Sequence, residues 1–317
     1  MPRLNHRTIL VLGLSLLVTA CAGARRAPMT SPTVADVPLG TRRVISGATG
    51  QTVPFAEMAD AAAKVDVVYF GEQHDDEETH RVELALLSAI GERRTKVVLS
   101  LEMFERDVQP VLDSYLAGRI GEAEFREQSR PWPNYGADYR PMLELARAKG
   151  WPVIAANVPR RLASMVSRRG LAVLDSLPPA DRAFTARDND CPKDQYYRKF
   201  VDVMGGGHGG AASGGGAAGM DAMMDQFYQA QCIKDETMAE SIVAARAKAG
   251  NDAIVVHVTG AFHSDDALGT VSRVTRRVPG VKTLVVSAVP TADPANEPAT
   301  EYLSRGQFII FALRIRP

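Results

Sequence analysis

Neither charge predominates in this chain: 37 lysines and arginines are matched by 37 aspartates and glutamates across 317 residues. Such a balance removes long-range attraction to polyanions, so nucleic acid is not expected as a partner and binding must be local. Cysteine is sparse, with three in all. No two stand in a C-x-x-C spacing, which argues against a zinc knuckle. Beyond residues 1–21 no stretch is long and apolar enough to span a bilayer. The glycine-rich stretch 205–219, with His208 in its midst, lacks the Gly-Lys-Ser/Thr that a phosphate-binding loop uses. It reads as a flexible linker; with Met204, Met220, Met223 and Met224 around it, the other reading is a flap over a flat apolar ligand or a soft metal.

What the amino-terminal end does contain is a targeting segment. Arg3, His6 and Arg7 form a positive region, residues 8–18 an apolar one, and Val18-Thr19-Ala20-Cys21 closes the segment. Small residues before a cysteine resemble the bacterial lipobox, so residues 1–21 are expected to be a lipoprotein signal peptide cleaved before an acylated Cys21. An ordinary signal peptide with an incidental cysteine is the alternative. More than one acyl chain would anchor the protein firmly on a membrane without crossing it. By resemblance to lipoprotein sorting, Ala22 in place of an aspartate favours the outer membrane of the cell envelope. Residues 22–43, rich in Ala, Arg, Pro, Ser and Thr, read as a tether. Residues 44–317 suffice for a substantial core. In an exported domain Cys191 and Cys232 can pair, and the bridge would add on the order of 4 kcal/mol in the chain-entropy model. Metal ligation and two free thiols are the alternatives.

Two short signatures, Gly71-Glu72-Gln73-His74 and Gly260-Ala261-Phe262-His263, each follow an apolar β-rich run, residues 65–70 and 253–258. A run of that kind ending in glycine places the next residues at the carboxyl end of a strand, where parallel α/β sheets form their sites. Residues 96–101 (KVVLSL) end in Glu102 and residues 151–156 (WPVIAA) in Asn157. His74, Glu102, Asn157 and His263 therefore stand at equivalent strand ends. A lone histidine there is more often a cap or a hydrogen-bonded core residue. A carboxylate ending a hydrophobic strand needs a cation, a metal or donors, and four convergent polar groups mark a shared site.

Between these strands the pattern turns helical: residues 104–116, 121–128, 141–148, 161–167 and 227–248. The expected fold class is α/β, a mostly parallel sheet flanked by helices, with a helical insertion over about residues 104–248 roofing the carboxyl edge of the strands. Residues 281–288 supply another strand, and residues 307–315 a last one at the sheet edge. In the run 131–139 (PWPNYGADY), Tyr135 and Tyr139 share a face if helical; they either pack on the sheet or offer a phenolate to iron. Arg160 and Arg161 either pair with ligand carboxylates or face solvent.

The GEQH and GAFH pair, the segment SLEMFERDVQPVLDSYLAG, the run WPNYGADYRP and the stretch QAQCIKDETMAESI together resemble the ChaN family of bacterial lipoproteins. That family lies within the Tiki and erythromycin-esterase-like superfamily. The resemblance covers about residues 44–317, with the glycine-rich insert as a departure. It implies an α/β fold with a helical insertion, haem binding, and a part in haem or iron uptake alongside an outer-membrane haem transporter. Haem would be held between two protomers, a homodimer, with a tyrosine on the iron and a histidine close by. Tyr135 and Tyr139 are the tyrosines in the matching run; His74, His263, Arg160 and Arg161 would complete the haem contacts. The superfamily's other branch implies a metal-dependent hydrolase, with His74, Glu102 and His263 holding a divalent ion such as Zn, Mn or Fe and Glu72 as general base. Tyrosinate suits ferric iron in a carrier that performs no chemistry, and the carrier is the preferred reading.

Overall fold

The computed structural model describes residues 42–206 and 217–314, all within the unit Ser31–Pro317. The expected signal peptide and Cys21, nearly all of the tether, and the middle of the glycine-rich stretch lie outside the described residues. In chain order the elements are β1 (Arg42–Ser46), β2 (Thr52–Val53), α1 (Phe55–Ala62), β3 (Val67–Glu72), α2 (Glu77–Arg93), β4 (Val97–Glu105), α3 (Gln109–Leu116), α4 (Glu122–Ser129), α5 (Arg140–Lys149) and β5 (Val153–Asn157). There follow α6 (Arg160–Arg169), α7 (Pro179–Arg182), α8 (Gln195–Gly206), α9 (Ala217–Ala249), β6 (Ile254–Gly260), α10 (Gly269–Arg277), β7 (Thr283–Thr291) and β8 (Phe308–Leu313).

One eight-stranded sheet orders these as β2-β1-β8-β7-β3-β6-β4-β5. The pairings from β8 through to β5 are parallel, and β1 joins β8 and β2 antiparallel. The expectation of an edge position for the last strand is corrected here. β8 lies inside the sheet, paired with β1 from Arg42↔Ala312 to Ser46↔Phe308. A strand buried on both faces needs a ladder on both sides, and Arg42 and Arg43, assigned to the tether from sequence, begin the strand that supplies it. The sheet edges are β2 and β5.

Side chains of one strand alternate between two cores, which is why the strands read as continuous apolar runs. Val68, Phe70, Leu99 and Val256 pack with residues of α1 to α5. Val67, Tyr69, Val98 and Val255 pack with Ala239 and Ile242 of α9 and Val271 and Val274 of α10. The helix expected from Phe104 begins later: β4 continues to Glu105 with a register shift against β5 between Leu101 and Glu105, and a 3-10 turn, Arg106–Val108, precedes α3. Met103 and Phe104 are buried there, so sheet packing outweighs the helical periodicity of the segment.

Candidate functional site

The two signatures come together because β3 and β6 are neighbours, with Gly71 opposite Thr259 and Glu72 opposite Gly260. Each glycine makes room for the other signature. A Cβ on Gly71 would stand 2.6 Å from Ser264 Oγ and 2.9 Å from Ala261 Cα. A Cβ on Gly260 would stand 2.9 Å from both Cε1 and Nε2 of His74. The close approach that glycine permits is thus used reciprocally.

His74 and Glu102 are joined by His263, Asn157, Arg160 and Trp132 around a cavity of about 400 Å³, whose far wall includes Ser164 and Ser167 of α6 and Ala230 and Lys234 of α9. Glu102 is buried; its Oε2 accepts from Thr259 Oγ1 at 2.6 Å and from the Gly260 amide at 2.8 Å. His263 Nε2 lies 3.4 Å from Glu102 Oε1 and Nδ1 lies 2.8 Å from Asp235 Oδ1. Asp235, buried in the middle of α9, also accepts from Tyr196 and Thr270, each at 2.8 Å. Burial opposes the charging of His263, but Glu102 and Asp235 on either side outweigh it and push its pKa up to about 10. Burial likewise opposes ionisation of Glu102, and the charge of His263 overcomes it, holding the carboxyl well below its usual range.

His74 is the open member of the set, its side chain 43% exposed. Nδ1 meets Glu72 Oε1 at 2.5 Å, which leaves Nε2 as the ring nitrogen for a ligand. Trp132 stands edge-on to the imidazole, ring centres 4.7 Å apart, and Asn134 donates to the His74 carbonyl at 2.8 Å. Burial would lower the His74 pKa, yet the bond to Glu72 turns the shift upward. Glu72, at the buried end of β3, also receives the Tyr139 hydroxyl at 2.8 Å and faces His80 Nδ1 at 3.1 Å. Burial disfavours its charge, but the bond from His74 and the charge of the nearby His80 hold its pKa down at about 2.

The structure places the remaining expected residues as follows. Tyr135 and Tyr139 are buried off the cavity wall, Tyr135 against Phe104 and Phe125. Burial raises both phenol pKa values, so neither presents a phenolate to the cavity in this conformation. Arg160 lines the cavity, whereas Arg161 pairs with Asp181 at 2.8 Å. Among the described residues neither Arg160 nor Lys234 has an ion-pair partner. Cys191 and Cys232 are joined by a disulfide, Cα to Cα 5.5 Å, which ties the segment before α8 to α9. Sequence reasoning missed His80, Glu83, Asp235 and Lys234. His80 and Glu83 stand three apart in the helix after the first signature, and Asp235 and Lys234 lie within the stretch QAQCIKDETMAESI; those positions were the available signal.

The family profile described as haem-binding uptake, Tiki superfamily, ChaN matches residues 58–274, from α1 through both signatures into α10. The chain belongs to the ChaN family. A solved structure described as cofacial heme binding to ChaN of Campylobacter jejuni superposes with a TM-score of 0.63 at 14% identity, covering 86% of this chain and 97% of that one. At that identity the likeness shows that the two share a fold. Protein RETICULATA-RELATED 5, chloroplastic, of Arabidopsis thaliana is 25% identical over 236 residues, 69% of this chain. This ChaN-family chain spans 30% of the length of that relative.

Proposed function

We propose that this ChaN-family protein binds haem and carries it for haem or iron uptake, anchored in the cell envelope, at the outer membrane, through an acylated Cys21. The observation that carries the reading is the cavity wall: an exposed His74 with Nε2 free and its other nitrogen on Glu72, beside Trp132 and two unpaired cations, Arg160 and Lys234. A ligating histidine is ordinarily oriented by a carboxylate on its second nitrogen, imidazole is a common haem ligand, and the cations suit propionates. Haem shared with a second copy, and hand-over to or from a membrane transporter, complete the proposal. In this reading Tyr139 acts through Glu72, and the iron donor on the wall is His74.

The test is a hemin titration of the mature chain. A saturable Soret shift is expected, weakened roughly tenfold or more by His74→Ala and less by Arg160→Ala. A free-hemin spectrum unchanged by micromolar protein overturns it. For the anchor, Cys21→Ala should move the chain to the soluble fraction or leave its precursor uncut. A second reading, a metal-dependent hydrolase, is favoured by the meeting of His74, Glu102 and His263 on one cavity with Glu72 behind. In that case His263, held as a cation between two carboxylates, must give up its proton before it ligates. Stoichiometric metal with peptide or ester turnover abolished by Glu102→Gln would select this reading.

A further inference from the structure

Behind His74, Glu72 of β3 and His80 and Glu83 of α2 form a further group, of which the carrier reading uses only Glu72. Their exposures are 1%, 3% and 2%, and one donor atom from each lies within 4.8 Å of the others. His80 Nδ1 stands 3.1 Å from Glu72 Oε2 and 3.0 Å from Glu83 Oε2. Its single N–H can serve only one of these, and the hydrogen bond goes to Glu83. Glu72 Oε2 and Glu83 Oε1 are left buried without a hydrogen-bond partner.

We propose that Glu72, His80 and Glu83 form a buried divalent-cation site that fixes the carboxylate on which His74 rests. With metal–ligand bonds of about 2.1 Å, neighbouring donors in an octahedral set stand about 3 Å apart, which is the spacing from His80 Nδ1 to each carboxylate. Two buried carboxylates crowd one imidazole with two of their oxygens unpartnered, a costly arrangement in an apolar interior. A divalent ion held by two carboxylates and a neutral imidazole would make the group neutral and give the orphaned Glu72 Oε2 a partner. The outer contacts have the form usual for a ligating histidine: His80 Nε2 lies 3.3 Å from the His74 carbonyl and 3.6 Å from Asp138 Oδ2. One imidazole with two carboxylates suits Mn²⁺, Fe²⁺ or Zn²⁺.

Equilibrium dialysis of the full mature chain against Mn²⁺ or Zn²⁺ alone, with metal content read by mass spectrometry, tests the site. About one ion per chain is expected, lost in His80→Phe and Glu83→Gln and kept in His263→Ala, with a metal-dependent rise in Tm for the wild type. No uptake by the folded wild type overturns the inference whatever the variants do. Uptake lost in His263→Ala but kept in Glu83→Gln also overturns it, because the ion then sits in the cavity. Hemin titration of the same protein is scored separately: haem binding without metal uptake sinks this inference and leaves the carrier reading standing, and metal uptake without haem binding does the reverse.

Discussion

Gly260 decides where the His74 imidazole can stand. A methyl there would come within 2.9 Å of two ring atoms, and the ring, being a side chain, would give way rather than the strand. Gly260→Ala is therefore expected to push His74 off Glu72 and weaken hemin binding roughly tenfold, while Tm moves by only a few degrees. Binding unchanged in that variant would show that His74 is not the donor. His257, one strand turn earlier, carries a different prediction. It is fully buried on β6, its Nδ1 2.9 Å from Ser100 Oγ, and burial pushes its pKa down to about 4. A histidine depressed from 6.5 contributes stability that is complete above pH 6.5 and is lost as pH falls toward 4. His80 and His263 are shifted upward, so their contribution is lost only above pH 6.5. A fall in denaturation midpoint between pH 6.5 and 4, flattened in His257→Gln, is expected. Convergence of His74, Glu102 and His263 was legible from strand ends alone. The residues behind them were not, because nothing local in the sequence marks His80, Glu83 or Asp235 as buried.

At the scale of elements, β5 shows how the sheet ends. Its open edge is met by a side chain that imitates a strand: Gln109 Nε2 donates to the Val153 carbonyl at 2.9 Å, and Gln109 Oε1 accepts from the Ala155 amide at 2.7 Å. Exposed edges template pairing with other chains. Gln109→Ala removes two backbone contacts, worth about 2 kcal/mol together. It is expected to lower stability by about that amount and to raise light scattering on mild heating; a monodisperse, equally stable variant would refute the capping role. Strand positions could be read because doubly covered strands are continuous apolar runs, as residues 96–101 show. Strand order could not be. The fragment Arg42–Ser46 opens with two arginines and looks like linker, and it becomes a strand only because β8 offers it a partner and Glu78 takes the Arg42 guanidinium at 2.8 Å.

At the scale of the molecule, the disulfide and the order of the strands matter most. The Cys191–Cys232 bridge closes a loop with a sequence separation of 41, which in the chain-entropy model contributes about 4 kcal/mol. Reduction is expected to lower Tm by roughly 10 °C and to loosen α9, on which Asp235 and Lys234 ride; an unchanged melting curve with dithiothreitol would contradict this. The pairing of β3 with β6 sets Val67 beside Val255, so the two halves of the site are made far apart in time as the chain is synthesised. Contacts of that separation form late in folding, after a large loss of chain entropy. A nascent chain that stops short of β6 cannot hold both histidines over one cavity. The cavity is therefore a product of the closed sheet: His74 and His263 share it only once the β3–β6 ladder has formed, so a change that opens that ladder dismantles both walls at once.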